Sequence, residues 1–100
     1  MTYSDVKEEL KNTYVVKSFN SRWETIEMWH EIGRIMLKNY HLVEDKQDKI
    51  ADYLKVSIED IRKAIAFADK YKNLNDYPSG MNISWRSVPD YSNNGQNSTK

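Results

Sequence analysis

The sequence predicts an all-α fold, a small bundle of four or five helices, on three observations. In two long stretches, apolar residues recur at intervals of three and four positions, which is the period of an amphipathic helix. A helix-capping serine precedes each stretch: Ser21 lies three positions before Glu24, and Ser57 lies three positions before Asp60. No pair of alternating apolar runs is evident that would form a sheet.

The first predicted helix begins at Thr2 or Ser4, either of which can cap it, and continues to about Lys11. The segment that follows, residues 12–20, is rich in β-branched and aromatic residues. It fits either a short strand or a continued helix. We expect a helix or an irregular link, because a single strand would have no partner.

A long amphipathic helix from Ser21 to about Asn39 or Tyr40 is the predicted centre of the bundle. Its apolar residues cover more than one face, so other helices or a second subunit are expected to enclose it. Gly33 lies in its interior, where glycine costs about 1 kcal/mol relative to alanine. This glycine indicates either the close approach of another backbone or a position that tolerates it. Residues 41–46 are expected to form a polar connector.

Residues 46–71 predict two helices folded back through a tight turn. In helix-turn-helix proteins, a small residue in the first helix and apolar residues in the turn and second helix fix the crossing. Ala51, Val56 and Ile61 occupy these positions. Lys55 stands where glycine is usual, so it is expected to adopt a left-handed backbone conformation at a cost of about 1 kcal/mol. The same fold also serves pure protein contacts, so a plain helical packing unit is an alternative.

The C-terminal part of the chain is predicted to add one short turn and a tail. Ser84 can cap a final helical turn in which Trp85 and Val88 pack back onto the bundle. The polar segment from residue 92 onwards is low in complexity and is expected to be flexible. The predicted organisation is therefore one domain over residues 1–91 and a tail over residues 92–100.

Composition limits the possible functions. Lysine plus arginine and aspartate plus glutamate number 15 each, so no overall field draws the chain to nucleic acid or to an anionic membrane. Basic residues clustered on one face can still support sequence-specific DNA binding. The absence of cysteine excludes disulfides and thiolate metal sites. With no long apolar run and no signal-like N-terminus, we expect a cytoplasmic protein without a membrane partner.

Catalytic and cofactor motifs are not found. His30 and His41 have no spacing that places three metal ligands on one helix face, and they are expected to be solvated or partly buried. The three glycines are scattered, so there is no glycine-rich phosphate loop. We therefore expect neither an enzyme, nor a cofactor, nor a metal site.

The first function predicted from these motifs is binding to double-stranded DNA. The early turns of the second helix in the pair would enter a major groove, and phosphates would be contacted from the turn, the preceding helix and the C-terminal turn. Glu59 and Asp60 would lie near phosphates and weaken binding unless Glu59 accepts from a cytosine amino group. The groove-facing candidates are Ser57, Glu59, Arg62, Lys63 and Ala66, and the phosphate-binding candidates are Lys46, Lys49, Lys55 and Arg86.

The second function class is a protein-interaction or assembly module without DNA binding. Three tryptophans and seven tyrosines are many for so short a chain, and these residue types commonly anchor interfaces. The wide apolar surface of the long helix favours a homodimer, with Trp23 or Trp29 at or beside the interface. The two classes are compatible, because helix-turn-helix proteins commonly act as dimers.

An ordered set of motifs also resembles a known family, the helical N-terminal domain of the YhcG-type proteins. The matching runs are WHEIGRIM (29–36), DKIADYL (48–54), SIEDIRKAIAFADKY (57–71) and ISW (83–85), and the similarity covers roughly residues 23–88. The resemblance implies a helix-turn-helix-like, DNA-binding module that in longer relatives precedes a PD-(D/E)XK nuclease domain.

The nuclease activity is not carried over by this resemblance, because the chain shows no strand-borne cluster of the nuclease's acidic and lysine residues. What the resemblance implies is a stand-alone regulator or accessory protein of a mobile element, a virus or a prokaryotic genome.

Overall fold

The computed structural model describes residues 2–17, 22–77 and 83–91, and within them it confirms the all-α prediction. Five α-helices and two short 3-10 turns are present in these ranges, without a strand. The helices are α1 (Tyr3–Lys17), α2 (Arg22–Lys38), α3 (Tyr40–Val43), α4 (Gln47–Leu54) and α5 (Ile58–Lys70); the 3-10 turns are Leu74–Asp76 and Trp85–Ser87. None of the described helices is long and apolar enough to cross a membrane. The predicted tail, residues 92–100, lies outside the described residues.

Helix α1 begins with a reciprocal cap formed by Thr2 and Asp5. The Asp5 backbone N–H donates to Thr2 Oγ1 over 3.3 Å, and the Thr2 N–H donates to Asp5 Oδ2 over 3.1 Å. Hydrogen bonds to the carboxylate from the backbone and then the side chain of Thr2 stabilise its charged form and lower the pKa of Asp5. The helix continues to Lys17, beyond the predicted end at Lys11, so the helical interpretation of the segment after residue 11 is correct as far as Lys17.

Helix α2 lies at the centre of the bundle and packs mainly against α5 and α1. It ends at Lys38, close to the predicted Asn39 or Tyr40, whereas the predicted cap Ser21 lies outside the described residues. Asn39 then forms a turn and donates from Nδ2 to the carbonyl of Ile35 over 2.9 Å. The prediction of a polar connector is wrong for residues 41–43, because they belong to α3 and Val43 is fully buried.

Gly33 lies at a close approach of the α5 backbone to α2. A Cβ atom added to Gly33 would lie 2.7 Å from the backbone carbonyl carbon of Ala64 and 2.8 Å from Ala68 Cβ, inside van der Waals contact. Of the two interpretations of this glycine, close approach of another backbone is therefore confirmed. The crossing fixes which face of α5 is turned towards the core.

The pair α4–α5 has the predicted bounds and the predicted turn. Lys55 ends α4 with φ 61° and ψ 43°, the left-handed conformation expected there, and its N–H donates to the carbonyls of Ala51 and Asp52. Ser57 Oγ accepts from the Asp60 N–H over 3.1 Å and caps α5, as predicted. Three residues thus turn the chain from α4 into α5.

The C-terminal segment 83–91 returns to the bundle. Trp85 and Val88 are buried, which confirms the prediction that they pack back onto the helices. Trp85 stacks on Trp29 of α2 with ring centroids 5.4 Å apart and an interplanar angle of 11°. Its ring also meets Phe67 of α5 edge to face at 5.7 Å. The segment therefore covers the side of the bundle where α2 and α5 meet.

Candidate functional site

The outer face of α5 is the surface on which the sequence places DNA contacts. The inner face carries Ile61, Ala64 and Phe67, which are fully buried. Glu59 and Arg62 are exposed on the opposite side, with Ala66 partly exposed one turn after Arg62. Because apolar residues recur with the helical period, the three predicted contacts share one face.

A shallow groove runs beside this face, between α5 and the end of α2 with α3. It has a volume of 330 Å³, and an adjoining recess of 660 Å³ opens towards α4. Arg62 lines both. The groove is lined by Leu37, Tyr40, Gln47, Arg62, Ile65, Ala66 and Asp69, and the recess by Tyr40, Glu44, Gln47, Asp48, Ile58 and Arg62.

The charges around Arg62 are mostly negative. Glu44 and Asp48 line the recess, and Asp69 lines the groove, where its carboxylate pairs with Lys72 over 3.2 Å. Arg62 is the single cation among the side chains that line these two cavities within the described residues. The sequence indicates that Glu59 and Asp60 would repel DNA phosphates, and the structure adds Glu44, Asp48 and Asp69 to these unfavourable charges. The side chains that line the two cavities therefore offer little positive charge to DNA.

Lys63 lines neither the groove nor the recess, and its contact with DNA remains a prediction. Its Nζ donates to the carbonyl oxygen of Trp85 over 2.7 Å and lies 4.5 Å from the centre of the Trp85 ring. Partial burial lowers the pKa of Lys63, while the charges of Asp60 and Asp90 oppose this shift. Lys63 anchors the C-terminal turn to α5, because its amine contacts both the carbonyl oxygen and the ring of Trp85.

The other predicted contacts are spread over several surfaces. Lys49 and Lys55 are exposed on α4 and at the turn, whereas the Ser57 hydroxyl is already used to cap α5. Arg86 is exposed on the turn beside Lys63 and lines neither the groove nor the recess. Lys46 extends towards α1, where its Nζ lies 5.5 Å from the centre of the Tyr3 ring.

The predicted interface residue Trp29 belongs to the core. Its side chain is 4% exposed, stacked on Trp85 and met edge to face by Tyr14 at 5.9 Å. Trp29 therefore has almost no surface to offer a second subunit, and its burial does not support its assignment to a dimer interface. Trp23 is partly exposed and packs against the edge of the core, so its assignment remains a prediction.

Two arrangements were not anticipated from the sequence. Lys7, Lys11 and Lys46 gather around the rings of Tyr3 and Tyr53 where α1 packs on α4. The only signal for this was the four-residue spacing of Tyr3, Lys7 and Lys11 on one face of α1. On the far side of the bundle, an aromatic cluster surrounds Phe67, with rings from Tyr71, Tyr77, Trp85, Tyr91 and His30.

His30 is a buried structural residue. Its ring is 6% exposed, and Nε2 lies 2.6 Å from the carbonyl oxygen of Tyr71, with which it forms a hydrogen bond. No group of three or more potential metal ligands occurs in the part of the chain that the structure describes.

Comparison of the chain with protein-family models, curated proteins and solved structures gives no match.

Proposed function

We propose that this protein binds double-stranded DNA through a helix-turn-helix formed by α4 and α5. One observation carries the proposal: the three-residue turn and the α2–α5 crossing fix α5 so that its outer face, with Arg62, remains available. Arg62 is exposed and takes part in no ion pair among the described residues. A rigid helix with a free guanidinium on its outer face has the dimensions and donors that a major groove accepts.

Each residue of the outer face has a distinct role in this proposal. Arg62 donates two parallel hydrogen bonds to a guanine, which is the commonest specific contact of arginine with DNA. The Glu59 carboxylate accepts a hydrogen bond from a cytosine amino group. This contact offsets its repulsion from phosphates and favours cytosine at that position. Ala66 contacts a thymine methyl group, and Lys49 and Lys55 contact phosphates on either side.

The biological role that fits this proposal is a regulator or accessory protein of a mobile element, a virus or a prokaryotic genome. It rests on the resemblance of residues 23–88 to the N-terminal domain of YhcG-type proteins.

A binding assay with a selected duplex tests the proposal. Duplexes enriched from a random pool by the purified protein are labelled, and their fluorescence anisotropy is titrated across a range of salt concentrations. Arg62→Ala should relax the preference at one base pair by about 1–3 kcal/mol. Arg34→Ala is the matched control, because Arg34 is exposed on α2 and pairs only with the neighbouring Glu31. The proposal fails if no duplex is enriched at low salt, or if Arg62→Ala binds as the parent does.

A second candidate function, a protein-docking site, is favoured by the apolar lining of the groove. Leu37, Ile65 and Ala66 contribute apolar surface beside Arg62, and Tyr40 is 38% exposed at the groove's edge. Tyrosine and arginine beside an apolar floor are typical of interface anchors. A second copy of the chain is the first partner to test, by measuring the mass in solution at high micromolar concentration. A dimer that Tyr40→Ser dissociates would support this candidate, whereas a monomeric mass would reject it for self-association.

A further inference from the structure

Three lysines meet two tyrosine rings where α1 packs on α4. Lys7 Nζ lies 5.6 Å from the centre of the Tyr3 ring and 4.6 Å from that of Tyr53. Lys11 Nζ lies 5.3 Å from the Tyr53 ring, and Lys46 Nζ lies 5.5 Å from the Tyr3 ring. We call these five residues the lysine–tyrosine cluster.

The ammonium groups of the cluster are poorly neutralised. Among the described residues, Lys7 and Lys11 form no ion pair, and Lys46 has only a 4.0 Å contact with the exposed carboxylate of Asp45. Asp48 lies near enough to raise the pKa of Tyr3, after the larger effect of burial on that phenol. Because Lys7 and Lys11 share one ring, their charges lie within roughly 10 Å, about the screening length at 0.1 M salt.

The tyrosine rings offset part of this repulsion. An ammonium group over an aromatic face is stabilised by about 0.5–1 kcal/mol at an exposed site. The ring holds the ammonium group in place but leaves some of its three N–H donors free for an anion. The Tyr53 side chain is 36% exposed, so the cluster opens to solvent. The arrangement is a preformed cationic surface in which, among the described residues, Lys7 and Lys11 form no ion pair.

Duplex DNA bound through α5 requires positive charge that the α5 face does not have. The chain is neutral overall, and Arg62 is surrounded by Glu44, Asp48 and Asp69. Affinity for DNA depends on the number of phosphates that lysine and arginine neutralise. Helix α4 packs against both α5 and α1 and supplies Tyr53 to the lysine–tyrosine cluster, so the cluster borders the proposed DNA-binding helix pair.

We propose that the lysine–tyrosine cluster binds the sugar–phosphate backbone of the same DNA duplex. This inference rests on the proposed function and names the surface that supplies most of the phosphate contacts. Lys7 and Lys11 are four residues apart in α1, about 6 Å along its axis, so they reach neighbouring phosphates of one strand. Lys46 and the exposed Lys49 extend the contact along α4 towards the turn.

The salt dependence of binding tests this proposal, with the selected duplex as probe. Lys7→Gln with Lys11→Gln removes two phosphate contacts, so the slope of log affinity against log salt should decrease in magnitude by about two. Arg22→Gln with Lys70→Gln is the control, because it removes two positive charges at exposed positions that line neither the groove nor the recess. Lys7→Arg with Lys11→Arg should keep the parent's slope, which separates charge from any effect on folding.

The outcomes separate this inference from the proposed function. If the parent binds no duplex at low salt, the proposed function fails and this inference fails with it. If the parent binds and Arg62→Ala alters base preference, but the glutamine pair at positions 7 and 11 keeps the parent's slope, only this inference is overturned. A parent that binds the single strand more tightly than the duplex, with that excess lost in the same glutamine variant, would also overturn it and assign the cluster to single-stranded nucleic acid.

Discussion

Lys55 is the only described non-glycine residue with a positive φ. An L-residue in the left-handed region is strained by about 1–2 kcal/mol, whereas glycine adopts that conformation freely. Lys55→Gly should therefore stabilise the protein by about 0.5–1 kcal/mol, after allowance for the greater flexibility of glycine in the unfolded chain. Urea denaturation at equilibrium measures the change.

Lys55→Ala is the matched control for this prediction, because it removes the charge but keeps the strained side chain. It should be less stable than Lys55→Gly by about 0.5–1 kcal/mol, the left-handed strain less the entropy that glycine loses on folding. Equal stability of the glycine and alanine variants would show that backbone strain at this turn is negligible.

Sequence reasoning is reliable for residues whose partners are close along the chain. The Ser57 cap and the conformation of Lys55 follow from neighbours within a few positions. The contact of Lys63 with Trp85 was not predictable, because Trp85 lies 22 residues away and no local pattern indicates that contact. The stacking of Trp29 was not predictable for the same reason, since the ring that stacks on it comes from the C-terminal turn.

The crossing of α2 and α5 depends on the missing side chain of Gly33. Gly33→Ala should destabilise the protein by about 1–3 kcal/mol or more, although alanine is the better helix former by about 1 kcal/mol. The added methyl group meets the backbone of Ala64 and the methyl group of Ala68, so the two helices have to separate. Thermal and urea unfolding check the effect.

Lys38→Ala, on an exposed position of the same helix, provides the comparison and should change stability by less than about 0.5 kcal/mol. A Gly33→Ala variant more stable than the parent would mean that helix propensity outweighs the close approach.

A second prediction at the scale of helices concerns the crossing of α4 and α5. Ile61 is fully buried and Leu54 is 5% exposed, and both lie where the two helices meet the core. Truncation of either to alanine should lower the free energy of unfolding by about 2–5 kcal/mol. Lys49→Ala on the exposed side of α4 should have little effect, and near-parental melting of Ile61→Ala would argue against this packing.

Helices with a sustained apolar period were predictable, whereas the connections between them were less so. The bounds of α4 and α5 follow from apolar residues that repeat every three or four positions and from a cap that marks the break. Helix α3 is four residues long, too short to show a period, and Leu42 and buried Val43 are its only two aliphatic residues. The extension of α1 to Lys17 was ambiguous because its composition suits a strand equally well.

The whole molecule uses many of its aromatic side chains to hold the C-terminal segment against the bundle. Tyr91 stacks on Phe67 with ring centroids 6.5 Å apart, and Tyr77 and Tyr71 meet Phe67 edge to face at 5.3 and 5.9 Å. The sequence predicts that most aromatic residues are buried or anchor an interface, and composition contains no information on which rings meet. The contacts join residues up to 24 positions apart and follow from the packing of the complete chain.

The aromatic cluster around Phe67, which includes Tyr91, predicts how stability depends on alkaline pH. Burial, and then hydrogen bonding to Tyr71, raise the pKa of Tyr91 far above its ordinary value of 10.0. Below about pH 10 the phenol is protonated in both states. At higher pH the unfolded chain releases this proton and the folded chain retains it, so unfolding becomes more favourable as pH rises. The free energy of unfolding from urea titrations should therefore decline above about pH 10 in the parent, and less steeply in Tyr91→Phe. Tyr40→Phe, which removes an exposed phenol, provides the background, and an equal decline in parent and Tyr91→Phe would contradict the role of Tyr91.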